Sequence, residues 1–358
     1  MNPAHTGSPE GSAHYRIETR TSATRKEAIG AGVLAVMLVL LPAFAGRDLV
    51  EEFIFVFYML ALAQCWNLLA GYAGLVSVGQ QAFVGLGGYL LFAQTTLLGA
   101  DPLLAIILAG VTSAIVALPT ALIVFRLRGA YFAIGTWVVA EVYRLVFAQF
   151  KLLGGGTGMS LPPSITNEIA GIKTIKSLFG VRTPAARDII SYWVALALAV
   201  GTILLVYLIL RSRRGLALGA IRDSEDAAES VGVDNERVKL GIYVIMAAVT
   251  GMIGALIYLQ KARISPDAAF SVIDWTAYII VIVVIGGIGT IEGPILGTIV
   301  FYLMQRYLAS FGAWWLILLG ALAIGVMLFT PKGLWGYFSE RQGLVLFSIR
   351  RLVVKRDK

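Results

Sequence analysis

Asn67-Leu-Leu-Ala-Gly71-Tyr-Ala-Gly74-Leu-Val-Ser77-Val-Gly79-Gln80-Gln81-Ala-Phe-Val-Gly85-Leu-Gly87-Gly88-Tyr89 is the stretch on which the fold of this chain turns. Six glycines, two adjacent glutamines, a serine and an asparagine stand where hydropathy ends one apolar helix and starts the next. A helix broken at membrane depth exposes backbone groups that protein or a water-filled path must satisfy, so such breaks line cavities. Gly71, Gly74 and Gly79 are read as the break. Asn67, Ser77, Gln80 and Gln81 are read as a polar substrate pathway, since a buried amide without such a role is costly. The competing reading is close helix packing through small residues, with Gly85 and Gly88 spaced for it.

The rest of the 358 residues place that stretch in a membrane. The chain is 58% hydrophobic and 14% charged, where a soluble domain carries about 25% charged residues. That excludes a soluble enzyme, a disordered chain and a secreted disulfide scaffold. Cys65 is the single cysteine, and His5 and His14 both lie in the polar N-terminal stretch. No intrachain disulfide, cysteine metal cluster or histidine chemistry can therefore operate in the apolar body. A crossing helix needs about 20 apolar residues, and ten segments qualify: 28–45, 52–70, 78–98, 102–125, 131–150, 189–210, 240–259, 276–290, 293–308 and 314–329. The expected fold is an all-α polytopic membrane protein of about ten helices, some of them broken at glycines.

The basic residues orient it. Arg126, Arg128 and the Arg211-Ser-Arg-Arg214 run fall on the side that also holds both termini, and positive loops stay cytoplasmic. Both termini are thus expected in the cytoplasm. Residues 1–27 read as a disordered tail, 28–334 as the transmembrane domain and 335–358 as a basic cytoplasmic tail. An external excursion spans 151–188 and a cytoplasmic loop 211–239. Ala43-Phe44-Ala45 offers a signal-cleavage alternative for the first span.

Four further places break the membrane pattern. Gly286-Gly-Ile-Gly289-Thr-Ile-Glu-Gly293-Pro294 interrupts two apolar runs as the first stretch does, which hints at an internal repeat. Glu141 and Arg144 stand i,i+3 within a span; an ion pair is the plain reading, and an intramembrane acid is also a pathway candidate. Gly154-Gly-Gly-Thr157-Gly158-Met159 suggests an outer turn at the pathway entrance, with Thr157 a candidate lining residue. No lysine follows a glycine anywhere in the chain, so a Walker A motif is excluded. In the cytoplasmic loop, Ser224 can cap a short helix with Glu225 and Asp226 in its first turn, and Gly232 can end it. Ala220, Ala227, Ala228 and Val231 would then face a partner.

Together these motifs resemble the permeases of branched-chain amino acid ABC transporters, the LivH/LivM kind. Asn67–Tyr89, Arg126–Thr136, Gly154–Met159, Gly215–Asp234 and Val284–Gly297 carry the resemblance, in order, over most of the chain. It implies a type II importer in a bacterial inner membrane: two permeases as a heterodimer, two ATPase subunits below and a periplasmic solute-binding protein above. ATP and Mg would reside in the ATPase, with no cofactor in this chain and no nucleic-acid partner. The loop bearing Asp223, Glu225, Asp226, Ala227, Ala228, Gly232 and Val233 would be the ATPase coupling element. A urea or short-amide importer shares the pattern and stands as the alternative. A lone channel or carrier leaves the capped cytoplasmic helix without a purpose. A lipid-modifying enzyme lacks clustered carboxylates or histidine in the spans.

Overall fold

The computed structural model describes residues 15–18, 22–342, 347 and 352–355. Strand β1 (Tyr15–Glu18) precedes α1 (Ser22–Leu40). Helix α2 (Arg47–Asn67) continues into a π turn at Leu68–Tyr72, and non-helical chain over 73–79 leads to α3 (Gln80–Leu97). Asp101 caps α4 (Pro102–Val124) by accepting from the Leu103 N–H at 2.8 Å, with proline in the first turn. Then come α5 (Ala130–Gln149), strand β2 (Met159–Ser160), the short helices α6 (Pro163–Thr166) and α7 (Ile172–Phe179), and α8 (Thr183–Arg211). Two polar helices follow, α9 (Arg213–Asp223) and α10 (Glu225–Ser230), before α11 (Asn235–Lys261). Strand β3 (Arg263–Ile264), α12 (Pro266–Ala269), a π turn and α13 (Tyr278–Gly286) lead to α14 (Glu292–Leu308), α15 (Trp314–Phe329), α16 (Gly333–Gln342) and strand β4 (Leu352–Lys355).

Six of these are long and apolar enough to cross a membrane: 47–72, α4, α5, α8, α11 and 266–286; α15 with α16, bent by 44°, makes a seventh. Of the ten segments expected from hydropathy, α1, α3 and α14 fall outside this set. Both α3 and α14 begin after a non-helical break; α14 is left with 17 residues, and α3, with 18, is too polar through Gln80, Gln81, Gln94 and its glycines. The segment expected at 276–290 is displaced: its helix starts at Pro266 and stops at Gly286. The polar run Ile273-Asp-Trp-Thr276 hid its beginning. Most of the tail expected to be disordered over 1–27 lies outside the described residues. Within it, β1 pairs antiparallel with β4, bringing Tyr15–Glu18 beside Leu352–Lys355. The C-terminal tail opens as α16, which hydropathy alone missed.

α11 is the central post, packed along α3 and α4. The helices approach through glycine: a Cβ on Gly87 would collide with the Gly251 carbonyl, one on Gly254 with that of Val84, and one on Gly251 with the Ser113 hydroxyl. Small residues let apolar helices approach closely where no hydrophobic force drives them together. Tyr89 of α3, Phe147 of α5 and Phe270 beside α12 stack with centroids 4.7–6.0 Å apart. Arg47 Nε donates to the buried Asp188 at 2.7 Å and ties α2 to α8. Overfilling such a crossing typically costs about 1–3 kcal/mol. Gly87→Leu is therefore expected to lower the melting temperature of the detergent-solubilised protein clearly. Gly201→Leu, at an α8 position with nothing within 4 Å of an added Cβ, is expected to leave it unchanged.

Candidate functional site

The two glycine-rich breaks meet. Asn67, fully buried at the end of α2, donates Nδ2–H to the Thr290 carbonyl at 2.7 Å and accepts the Gly289 N–H on Oδ1 at 2.8 Å. One turn earlier, Gln64 donates to the Ile291 carbonyl at 2.6 Å. Three backbone groups of the second break are thus satisfied by two amides of α2, as non-helical backbone in an apolar interior requires. Gly71 packs so closely on this loop that a Cβ there would lie 2.6 Å from the Gly289 nitrogen.

The first break is held in the same way. Gln80, at the start of α3, donates to the Leu62 carbonyl at 2.9 Å. The Trp66 indole N–H donates to the Ser77 carbonyl at 2.8 Å, and the Ser77 hydroxyl accepts the Gly79 N–H at 3.1 Å. The Val78 N–H reaches Thr136 Oγ1 on α5 at 3.0 Å. The Thr276 hydroxyl donates to Gln81 Oε1, joining α3 to the π turn before α13. Among the described residues Gln80 Oε1 has no partner. Gln80 lines a cavity of about 20 Å³ with Ser77, Phe83, Tyr243 and Thr250, enough for one water by the usual volume criterion.

Below the breaks lie α9 and α10. Ser224 Oγ accepts the Ala227 N–H at 3.3 Å, capping α10. At the other end Gly232, with φ +87°, donates to Glu229 O at 2.9 Å while Val233 N–H donates to Ala228 O at 3.0 Å. This is the paired closure of a Schellman motif. Lys239 pairs with Glu225 at 2.5 Å, and Asn235 Nδ2 donates to the Glu225 carbonyl at 2.8 Å, so α11 grips the helix start. α9 packs against the π turn of α2. A Cβ on Gly289 would stand 3.9 Å from the Arg222 guanidinium. A cleft of about 980 Å³ separates α10 from the first break and the α4–α5 turn, lined by Gly74, Val76, Arg128, Glu229 and Lys239 among others.

On α5 the Arg144 guanidinium donates to both Glu141 oxygens at 2.6–3.0 Å and to Asp267 at 2.6 Å. Thr157 is exposed and donates to the Gly154 carbonyl at 3.1 Å within a glycine turn. Gly158 of that turn packs on the Ile264 carbonyl. No group of three or more His, Cys, Asp or Glu among the described residues is placed to hold a metal ion.

The family described as "Branched-chain amino acid transport system / permease component" matches residues 49–327. This chain belongs to that family. Similar proteins include the high-affinity branched-chain amino acid transport permeases LivM of Salmonella typhimurium and Escherichia coli. Each is 29% identical over 322 residues, covering 87% of this chain and 75% of the relative. A probable LivM of Methanocaldococcus jannaschii is 24% identical over 330 residues, 78% of this chain and 90% of its own. No solved structure matches. By family and distant homology the chain is a permease component of a branched-chain amino acid ABC transport system, not its ATPase.

In this permease the residues singled out from sequence fall into three places. Asn67, Ser77, Gln80 and Gln81 gather in the core around the first break, while Glu141, half-buried on α5, and Thr157, exposed in the glycine turn, lie apart from them. Gly71 stands where the two breaks touch, whereas Gly74 and Gly289 adopt φ of +68° and +75°. Gly286 and Gly293 press on each other as close contacts between α13 and α14, with Pro294 in the first turn of α14. Gly85 and Gly88 pack on the rings of Phe270 and Tyr258, so small-residue packing describes them. Ala228 is corrected: it is 1% exposed and turned inward, leaving Ala227 and Val231 outside. The loop around it is also corrected, since its first part is helix α9. Sequence reasoning missed Gln64, Thr136, Thr276 and Asp267, whose partners lie tens to hundreds of residues away.

Proposed function

We propose that this chain is one of two permeases of an ATP-driven importer for branched-chain or related amino acids. The observation that carries this reading is the arrangement of α9 and α10. A capped helix is seated on α9 and α11, with its outer side exposed. α9 packs on the π turn of the first break and carries Arg222 beside Gly289 of the second, so a force on that side can reach the broken helices. An ATPase subunit seated on α10 would push Asp223, Glu225, Asp226, Gly232 and Val233 as its two halves close on ATP and Mg. The breaks, held by Gln64 and Asn67 as one unit, would shift together and expose the path to alternate sides.

Both termini on the cytoplasmic side accord with the pairing of β1 with β4, which needs Tyr15–Glu18 and Leu352–Lys355 on one side. The second permease would complete a heterodimer in a bacterial inner membrane, and a periplasmic binding protein would deliver substrate to the opposite face. LivM permeases and, over 41% of this chain, a probable LivH of Methanocaldococcus jannaschii are both named among the relatives, which supports a permease pair. Gln80, with its unpartnered oxygen beside a small polar cavity, marks the position where the path passes the first break.

Labelled leucine and labelled urea uptake are compared in cells with the gene intact, deleted and restored. Leucine uptake is expected to fall at least tenfold on deletion and to return with the gene, while urea uptake is unchanged. Loss of urea uptake alone would transfer the substrate to urea or short amides and leave the permease standing. No change in either would overturn the substrate assignment.

A further inference from the structure

We propose that the stripe of α5 bearing Ile134, Trp137, Val138, Glu141, Arg144 and Leu145 faces a water-filled path, and that its ion pair receives the two charged ends of a zwitterionic substrate. The zwitterion rests on the importer reading; the water-filled face does not.

Of the six crossing helices α5 is the least enclosed by its own chain, with 17% of its apolar window buried against 67% for α11. Something outside this chain covers it. α4 is also widely exposed, through Ile107, Leu118 and Leu122 among others, yet no residue of α4 is charged. That is the chemistry of a lipid face. The α5 stripe differs at one point: Glu141 and Arg144 stand in it with side chains 46% and 29% exposed. Glu141 is the twelfth of twenty residues, so its Cα sits about 2 Å from the helix midpoint at 1.5 Å per residue. A carboxylate so placed is too short to reach a headgroup. A charged residue at that depth facing lipid costs about 2.5–3.5 kcal/mol even on the most lenient scale.

Pairing does not remove the objection. Arg144 is shared between Glu141 and the 81%-exposed Asp267, so two acids meet one base and the group keeps a net negative charge. Such a group needs water or a polar partner. It also has the form of an amino acid receptor. A carboxylate can compete for the Arg144 fork, which binds carboxylates two-pronged. The acid oxygens it releases attract an ammonium. Ile134, Val138 and Leu145, each about half exposed, flank the pair along the helix and offer an aliphatic side chain an apolar wall.

Cysteine labelling separates the alternatives with little background, because the chain's one cysteine, Cys65, is fully buried. Val138→Cys, Leu145→Cys, Ile107→Cys and Leu118→Cys are made singly in the assembled transporter in membrane vesicles. They are treated with a charged, membrane-impermeant methanethiosulfonate. Labelling of this chain is expected at least tenfold faster at the two α5 positions than at the two α4 positions. Equally slow labelling at all four would overturn the water-filled face. Leucine supplied with the binding protein is expected to slow labelling at position 138, and adding Arg144→Gln is expected to abolish that protection. Protection that survives Arg144→Gln would overturn the ion pair as the substrate's receptor. Should the wild-type complex carry no leucine at all, the importer reading fails, while the labelling contrast between α5 and α4 still decides the face.

Discussion

Asn67→Leu is expected to abolish uptake and to lower the melting temperature of the permease more than any other single change at the breaks. Leucine has the same branching and number of side-chain heavy atoms as asparagine, so no cavity opens. What disappears is both ends of one amide: the donor to the Thr290 carbonyl and the acceptor of the Gly289 N–H. Each half-buried group then loses its partner, at a cost of up to about 1–3 kcal/mol apiece. Gln64 still holds the Ile291 carbonyl, so the loop keeps one anchor and loses two. Asn67→Asp keeps the acceptor for Gly289 N–H but sets a carboxylate against the Thr290 carbonyl, and an intermediate loss is expected. Thr157→Ala is the control, since its hydroxyl makes only a local bond in an exposed turn, and uptake should be unchanged. Thermal unfolding in detergent and leucine uptake in cells measure both effects. A wild-type melting temperature for Asn67→Leu would show that the two breaks are not fastened through this residue.

The site of the breaks was legible because glycine and amide residues interrupt apolar runs, and composition is local information. What joins the breaks was not. Asn67 and its acceptor at Thr290 lie 223 residues apart, and no periodicity in either segment encodes that meeting. For the same reason Gln64 passed as one polar residue in an apolar helix. It is placed one turn before Asn67, on the face that meets the second break. Glu141 with Arg144 could be read as a pair from their i,i+3 spacing, whereas Asp267 required the folded chain. The caps of α10 were legible in full: Ser224 and Gly232 act through bonds three to five residues long. Which alanine of Ala227-Ala228 turns inward was not, because both are small and the helix has only six residues. Hydropathy failed most clearly where helices are broken. A window that averages over 73–79 or 287–291 reports continuous apolar segments and hides the non-helical chain between.

Ala228→Trp is expected to separate ATP hydrolysis from transport. Ala228 is 1% exposed, and α10 packs directly against α9 and α11. An indole has no room beneath α10, so the helix must lift from its seat or distort, at about 1–3 kcal/mol for an overfilled contact. Six residues with a cap at each end cannot absorb that strain internally, because each turn depends on Ser224 or on the closure at Gly232. The displacement would pass to α9 and so to the π turn of α2 and to Arg222 beside Gly289. In the purified transporter, leucine uptake is expected to fall at least tenfold while basal ATP hydrolysis continues and no longer rises with loaded binding protein. Ala227→Trp, on the exposed side, is expected to act differently: the permease keeps its melting temperature and the ATPase binds it more weakly. If Ala228→Trp left hydrolysis and uptake coupled in their normal ratio, force would not travel through the seat of α10. The route from ATPase to breaks would then have to run through α9 alone.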